Sequence, residues 1–123
     1  MSSLTRTHLV WAATAAAVMT WNTPAQAHAK LVSSDPSANA TIAAPKNIHV
    51  QFSEEIAKKL SSLKLTDTDG NAVAIMSMDS KDAKSLDIMP GATLAAGLYT
   101  VTWTAVATDD GHKTTGSFSF TVK

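Results

Sequence analysis

Apolar and polar side chains alternate with a period of two over much of the chain, and this pattern limits the folds open to it. In residues 99–105, tyrosine, valine, tryptophan and alanine alternate with threonines. Residues 117–122 alternate serine or threonine with phenylalanine or valine, and residues 47–54 follow the same rule. A period of two is that of a β-strand with one buried face, whereas a helix repeats every 3.6 residues. The sequence therefore predicts an all-β protein, with these large in-phase side chains in its core: Tyr99, Val101, Trp103, Phe118 and Phe120.

Turn signals divide the chain into about seven short strands within one domain. The predicted strands are 29–34, 47–54, one beginning at 63–65, 72–78, 85–89, 99–105 and 117–122. Turn-forming residues lie between them, for example in Thr68-Asp69-Gly70-Asn71. Residues 55–62 are either one helical turn or an irregular crossover. Short strands separated by such turns favour a small antiparallel sandwich or a Greek-key barrel.

The first 27 residues have the three parts of a secretory signal peptide. A short polar start carries Arg6, residues 9–21 are apolar, and Ala25-Gln26-Ala27 supplies a cleavage site. The apolar run is shorter than the roughly 20 residues that a membrane span needs. A short N-terminal anchor or a buried helix is the alternative. We expect cleavage after Ala27 and an exported, soluble domain of residues 28–123, which is 96 residues and enough for one core.

Composition excludes several classes of function. The chain contains no cysteine, so disulfides, thiolate metal sites and thiol catalysis are excluded. Arg6 is the one charged side chain in residues 1–27, and cleavage leaves nine basic and ten acidic side chains. No basic patch is evident, so we expect neither nucleic acid nor an anionic membrane as a partner.

Three residues in two distant segments have the chemistry of a metal site. If cleavage follows Ala27, His28 offers both its α-amine and its imidazole Nδ1, which can close a six-membered chelate ring. Asp110 and His112 flank Gly111. In an extended stretch both side chains leave the same face, and the glycine allows the backbone to turn so that both can reach one ion. Nitrogen ligands with a carboxylate suit Cu(II). Each feature also has a simpler explanation, because N-terminal residues often fray and Asp-Asp-Gly-His is a favourable turn sequence.

The order and spacing of several motifs resemble the CopC/PcoC-type periplasmic copper-binding proteins of bacterial copper resistance. The resemblance covers nearly all of residues 28–123. The motifs that carry it are His-Ala-Lys-Leu at 28–31, Ser-Ser-Asp-Pro at 33–36, Phe-Ser-Glu at 52–54, Ala-Gly-Leu-Tyr-Thr-Val-Thr-Trp at 96–103, Asp-Gly-His at 110–112 and Gly-Ser-Phe-Ser-Phe-Thr-Val at 116–122.

This resemblance implies both a fold and a ligand set. The fold would be a seven-stranded immunoglobulin-like Greek-key barrel or sandwich. One Cu(II) ion per chain would be held by the amine and imidazole of His28, by Asp110 and by His112. In some members a glutamate also approaches the metal, and Glu54 occupies that position here.

The methionines depart from the pattern of many family members, in which a Met-rich loop with a histidine binds Cu(I). Residues 65–71 lie in that neighbourhood and contain no methionine. We interpret the methionines after residue 28, which are Met76, Met78 and Met89, as fillers of gaps in the core. His49 lies in the outward phase of its strand and is predicted to be exposed. The sequence therefore indicates a protein that binds Cu(II) alone.

These features together predict a copper carrier or buffer of the periplasm, which is not an enzyme. By the resemblance, it would exchange copper with inner-membrane or outer-membrane copper-resistance proteins. A copper oxygenase-like enzyme with an N-terminal histidine brace is one alternative, but such an enzyme needs aromatic side chains free to hold a polysaccharide. A metal-free immunoglobulin-like adhesion or chaperone module is the other, and it does not explain a histidine directly behind the cleavage site.

Overall fold

The computed structural model describes residues 28–123, so the predicted signal peptide of residues 1–27 lies outside the described residues. Within this range the chain forms nine strands. In chain order they are β1 (Leu31–Asp35), β2 (Thr41–Ile42), β3 (Ile48–Phe52), β4 (Ser62–Thr66), β5 (Ala72–Val73), β6 (Ile75–Met78), β7 (Ser85–Pro90), β8 (Gly97–Val106) and β9 (Lys113–Val122). No helix among these residues is long and apolar enough to cross a membrane.

The strands form two sheets that pack as a sandwich. One sheet has the order β1-β3-β7-β6 and the other the order β2-β9-β8-β4-β5. Neighbouring strands are antiparallel except β2 and β9, which pair in parallel. The predicted all-β sandwich is confirmed. Nine strands appear where seven were predicted, because β2 and β5 are two-residue strands too short to show a period.

The core contains the side chains that the alternation predicted. Tyr99, Val101, Trp103, Phe118 and Phe120 are all at most 8% exposed and belong to one cluster. The rings of Phe52 and Trp103 meet edge to face across the two sheets, with their centroids 5.3 Å apart. Every aromatic ring of Phe, Tyr and Trp in residues 28–123 is therefore buried between the sheets.

Two connections differ in detail from the prediction. The single strand expected over residues 72–78 is wrong, because the chain crosses at Ala74 from β5 in one sheet to β6 in the other. The Ala74 carbonyl accepts a hydrogen bond from the Gly91 amide at 2.9 Å instead of joining either ladder. The irregular crossover that was one of the two predictions for residues 55–62 is present over residues 55–61, before β4, and in it buried Ile56 bridges to Ala107.

The methionines do not fill the core. Met76 is 53% exposed and Met78 is 37% exposed, and both lie on β6, at the edge of the four-stranded sheet. The gap-filling interpretation is therefore wrong for these two residues. His49 lies on the outer face of β3 as predicted, but it is half-buried and its Nδ1 is 2.6 Å from Oδ1 of Asp87.

Candidate metal centre

Residues 28–30 lie between the end of β3 and the start of β9. The Lys30 amide donates to the Ser53 hydroxyl at 2.9 Å, and the Ser53 amide donates to the Lys30 carbonyl at 2.8 Å. On the other side, the Thr114 hydroxyl donates to the Ala29 carbonyl at 2.7 Å. Ala29 is 1% exposed. These bonds fix the backbone beside His28 on both sides.

The turn between β8 and β9 brings Asp110 and His112 to the same end of the sandwich. The Gly111 amide donates to the Ala107 carbonyl and the Ala107 amide donates to the His112 carbonyl, both at 3.0 Å. Oδ1 of Asp110 accepts the His112 amide at 2.9 Å. Gly111 has a φ of 67°, in the left-handed region that favours glycine. The segment is a closed turn, as the sequence Asp-Asp-Gly-His favours.

The structure brings three of the predicted ligands together. His28, Asp110 and His112 each offer one nitrogen or oxygen atom, and these atoms all lie within 4.8 Å of one another. The imidazole rings of His28 and His112 are stacked, with centroids 3.8 Å apart and planes 28° from parallel. Residues from the two ends of the folded domain therefore face a common point.

Two buried side-chain nitrogen or oxygen atoms among residues 28–123 lack a hydrogen-bond partner, and both belong to predicted ligands. They are Nδ1 of His28 and Oε2 of Glu54. An unsatisfied buried polar atom costs about 1–3 kcal/mol, so such atoms call for an explanation. A metal ion accepts electron pairs from a ring nitrogen and from a carboxylate oxygen alike. The donor set is therefore suited to a cation.

Glu54 lies outside the three-residue cluster, although it is at the same end of the sandwich. Its neighbour Ser53 pairs with Lys30, and the carbonyl of its other neighbour, Glu55, accepts the Thr108 amide at 3.1 Å. Glu54 thus lies just after the end of β3, between the segment carrying His28 and the loop carrying Asp110.

Sequence reasoning missed two residues that shape this end of the molecule. Thr114 and Gly116 share the inward phase of β9 with Phe118, and a polar and a small residue in an apolar phase is the signal that could have identified them. A Cβ atom on Gly116 would lie 2.4 Å from Cζ2 of Trp103, so the absence of a side chain makes room for the indole. Trp103, Gly116 and Thr114 line a groove that also contains His28.

The sequence and the fold both match known proteins. Residues 31–123 match the CopC domain. The chain is 41% identical over 107 residues to copper resistance protein C of Escherichia coli, covering 80% of this chain and 84% of that protein. It is 39% identical over 104 residues to copper resistance protein C of Xanthomonas campestris pv. juglandis, covering 79% and 81%.

Solved structures give the same result. PcoC, a methionine-rich copper resistance protein from Escherichia coli, superposes with a TM-score of 0.72 at 42% identity, covering 78% of this chain and 99% of that one. CopC from Methylosinus trichosporium OB3b superposes with a TM-score of 0.71 at 31% identity, covering 78% and 94%. The relatives from Escherichia coli and Xanthomonas campestris are copper resistance proteins, in agreement with the sequence-based expectation of a copper protein that is not an enzyme. The chain belongs to the CopC domain family of copper resistance proteins.

Proposed function

We propose that this chain is a periplasmic Cu(II) carrier or buffer that holds one ion at the end of the sandwich where His28 meets the β8–β9 turn. His28 supplies its α-amine and Nδ1, and His112 and Asp110 supply an imidazole nitrogen and a carboxylate oxygen. The observation that carries the proposal is the convergence of three donor residues within 4.8 Å. We choose copper as the ion because the relatives are named as copper resistance proteins.

Export would complete the site. The nitrogen of His28 is an amide while Ala27 precedes it, and cleavage after Ala27 converts it into an amine that can bind a metal. The amine and Nδ1 of one histidine then close a six-membered ring on the ion. The unpartnered Nδ1 of His28 supports this role, because a buried imidazole nitrogen without a hydrogen bond is available as a ligand. Glu54, with its unpartnered Oε2, is a candidate for a further oxygen ligand.

The burial of the aromatic side chains argues against the oxygenase alternative. Phe52, Tyr99, Trp103, Phe118 and Phe120 all contribute to the core, which leaves none of them free to stack against a polysaccharide. A carrier needs no such surface. It needs only to exchange the ion with its partners, which we propose to be copper-resistance proteins of the inner or outer membrane.

The decisive experiment is a Cu(II) titration of the processed protein, with mass spectrometry confirming that it begins at His28. It is compared with a protein that keeps one methionine before His28. We expect the extended protein to fold normally and to lose much of its Cu(II) affinity, because the amine has left the six-membered ring. Equal affinity and an identical visible spectrum would show that the N-terminus is not a ligand.

The turn supplies a matched pair of variants. Asp110→Asn removes the charge of the carboxylate that lies near His28 and His112. Asp109→Asn makes the same change at the neighbouring position, which is not part of that cluster. We expect the first to weaken Cu(II) binding and the second to leave it unchanged. His112→Ala should also weaken binding. A metal-free module would show no tight binding in any of these proteins, including the wild type.

A further inference from the structure

Two methionines lie on the outer face of β6, the edge strand of the four-stranded sheet. Met76 is paired with Met89 of β7, and Met78 is paired with Asp87. Directly paired residues of antiparallel strands project from the same face of a sheet. Asp87 and Met89 flank Ile88, which is 3% exposed on the inner face, so all three methionines face away from the core. Among residues 28–123, β6 pairs with β7 alone in its sheet, which leaves its other edge open to solvent.

The exposure of these methionines differs between the edge strand and its neighbour. Met76 is 53% exposed and Met78 is 37% exposed. Met89 is half-buried, because β7 lies between β6 and β3. Methionine usually serves to fill irregular gaps in a core, and the two side chains of β6 do not have that role. Their thioethers are instead accessible to small molecules in solution.

An accessible thioether is readily oxidised to a sulfoxide. A lone pair of the sulfur attacks the electrophilic oxygen of a hydroperoxide or a hypohalous acid, and an S–O bond forms as the O–O or O–halogen bond breaks. The sulfur is oxidised and the attacking reagent is reduced. Hydrogen peroxide leaves as water, and hypochlorous acid leaves as chloride and a proton. Methionine sulfoxide reductases return the sulfoxide to the thioether, with one enzyme for each epimer of the sulfoxide.

The position of Met76 and Met78 makes this oxidation compatible with the fold. In a core, a sulfoxide would place a polar oxygen among apolar side chains and disrupt their packing. On the outer face of β6 the new oxygen is hydrated, and the buried side chains on the other face of the sheet are not disturbed. An exposed apolar edge strand also tends to associate with other strands, and a sulfoxide makes this edge more polar.

We propose that Met76 and Met78 form a reversible oxidation site, at which the protein takes up the reactive oxygen of hydroperoxides and hypohalous acids without losing its fold. Met89 is a slower third position, because it is half-buried. The oxidation site shares no residue with the metal centre at His28, so the donor atoms of that centre are not changed by the reaction. The inference does not depend on the proposed function.

The first test is a time course of oxidation by hydrogen peroxide, followed by peptide mass mapping. The chain has five methionines, of which Met1 and Met19 precede the predicted cleavage site, so the processed protein has three to map. A chelator is present, so that copper does not convert the peroxide into radicals. Each oxidised methionine gains the mass of one oxygen atom. We expect Met76 to react first, Met78 second and Met89 last, in the order of their exposure. If Met89 reacts as fast as Met76, the proposal is wrong.

The second test asks whether the reaction is tolerated and reversible. The double variant Met76→Leu, Met78→Leu should lose the fast uptake of oxygen, whereas the control Met89→Leu should keep it; leucine approximately preserves the volume of methionine in both. Wild-type protein oxidised at Met76 and Met78 should keep its circular dichroism spectrum and its Tm. Incubation with both methionine sulfoxide reductases and a dithiol should restore its original mass. Unfolding upon oxidation, or sulfoxides that the reductases leave in place, would overturn the proposal.

Discussion

The Thr114 hydroxyl offers a sharp test of how the fold positions His28, and the variant to make is Thr114→Val. Valine has nearly the shape of threonine but cannot donate the hydrogen bond that the Ala29 carbonyl receives at 2.7 Å. Ala29 is 1% exposed, so its carbonyl has no ready replacement from water. A buried acceptor left without its partner costs about 1–3 kcal/mol.

This free energy should reappear as lost Cu(II) affinity. In the variant, a conformation in which residues 28–30 are displaced and the Ala29 carbonyl is hydrated becomes more favourable. Cu(II) binding by His28 must then supply the free energy that returns this segment to its place. Since about 1.4 kcal/mol corresponds to a factor of ten in affinity, the expected loss is about five- to 150-fold.

The assay can use Trp103 as its reporter. The chain has three tryptophans, and the other two, Trp11 and Trp21, precede the predicted cleavage site. Trp103 lines the same groove as His28, so bound Cu(II) should quench its fluorescence. Thr114→Ser keeps the hydroxyl and is the matched control, with affinity near that of the wild type. If Thr114→Val shows both wild-type affinity and wild-type stability, the hydrogen bond does not hold the N-terminal segment.

Two further predictions concern the core beneath the site. Trp103→Ala should lower the free energy of unfolding, measured by urea denaturation, by about 3–5 kcal/mol, because it empties a large buried volume. A loss below about 1 kcal/mol, which is typical of a surface substitution, would contradict the observed packing of Trp103. Gly116→Ala should lower the free energy of unfolding by about 1–3 kcal/mol, because the new Cβ would lie 2.4 Å from the Trp103 ring and the ring would have to move. The emission of Trp103 should shift with it, and an unchanged spectrum together with unchanged stability would show that the ring does not rest on Gly116.

The core and the cluster of candidate ligands could be predicted because local rules determine them. The side chains that were predicted to lie on the inner face of their strands, as Trp103 does, are all buried. His28, Asp110 and His112 were recognised by their chemistry and by resemblance, and the structure places their donor atoms together.

Other features depend on long-range pairing, which periodicity does not report. Val73 and Ile75 are in phase with a single strand over residues 72–78, although the chain changes sheets at Ala74 between them. Methionine suits a core and a surface alike, and it is the edge position of β6 that leaves Met76 and Met78 in solvent. The role of Thr114 depends on a bond to a residue 85 positions away.

The position of the cluster has a consequence for a domain that has no disulfide. β1 is the first strand of the sandwich and an edge strand, paired with β3 alone in its sheet. A metal ion shared by His28 and His112 would tie a residue three positions before β1 to the residue just before β9, and so close a loop around most of the domain. Such a cross-link is reversible: at a free ion concentration of 100 times Kd, ligand binding stabilises a fold by about 2.7 kcal/mol. The bound ion would then be the cross-link that a disulfide provides in other exported domains, and β1 would be held most firmly when the ion is bound.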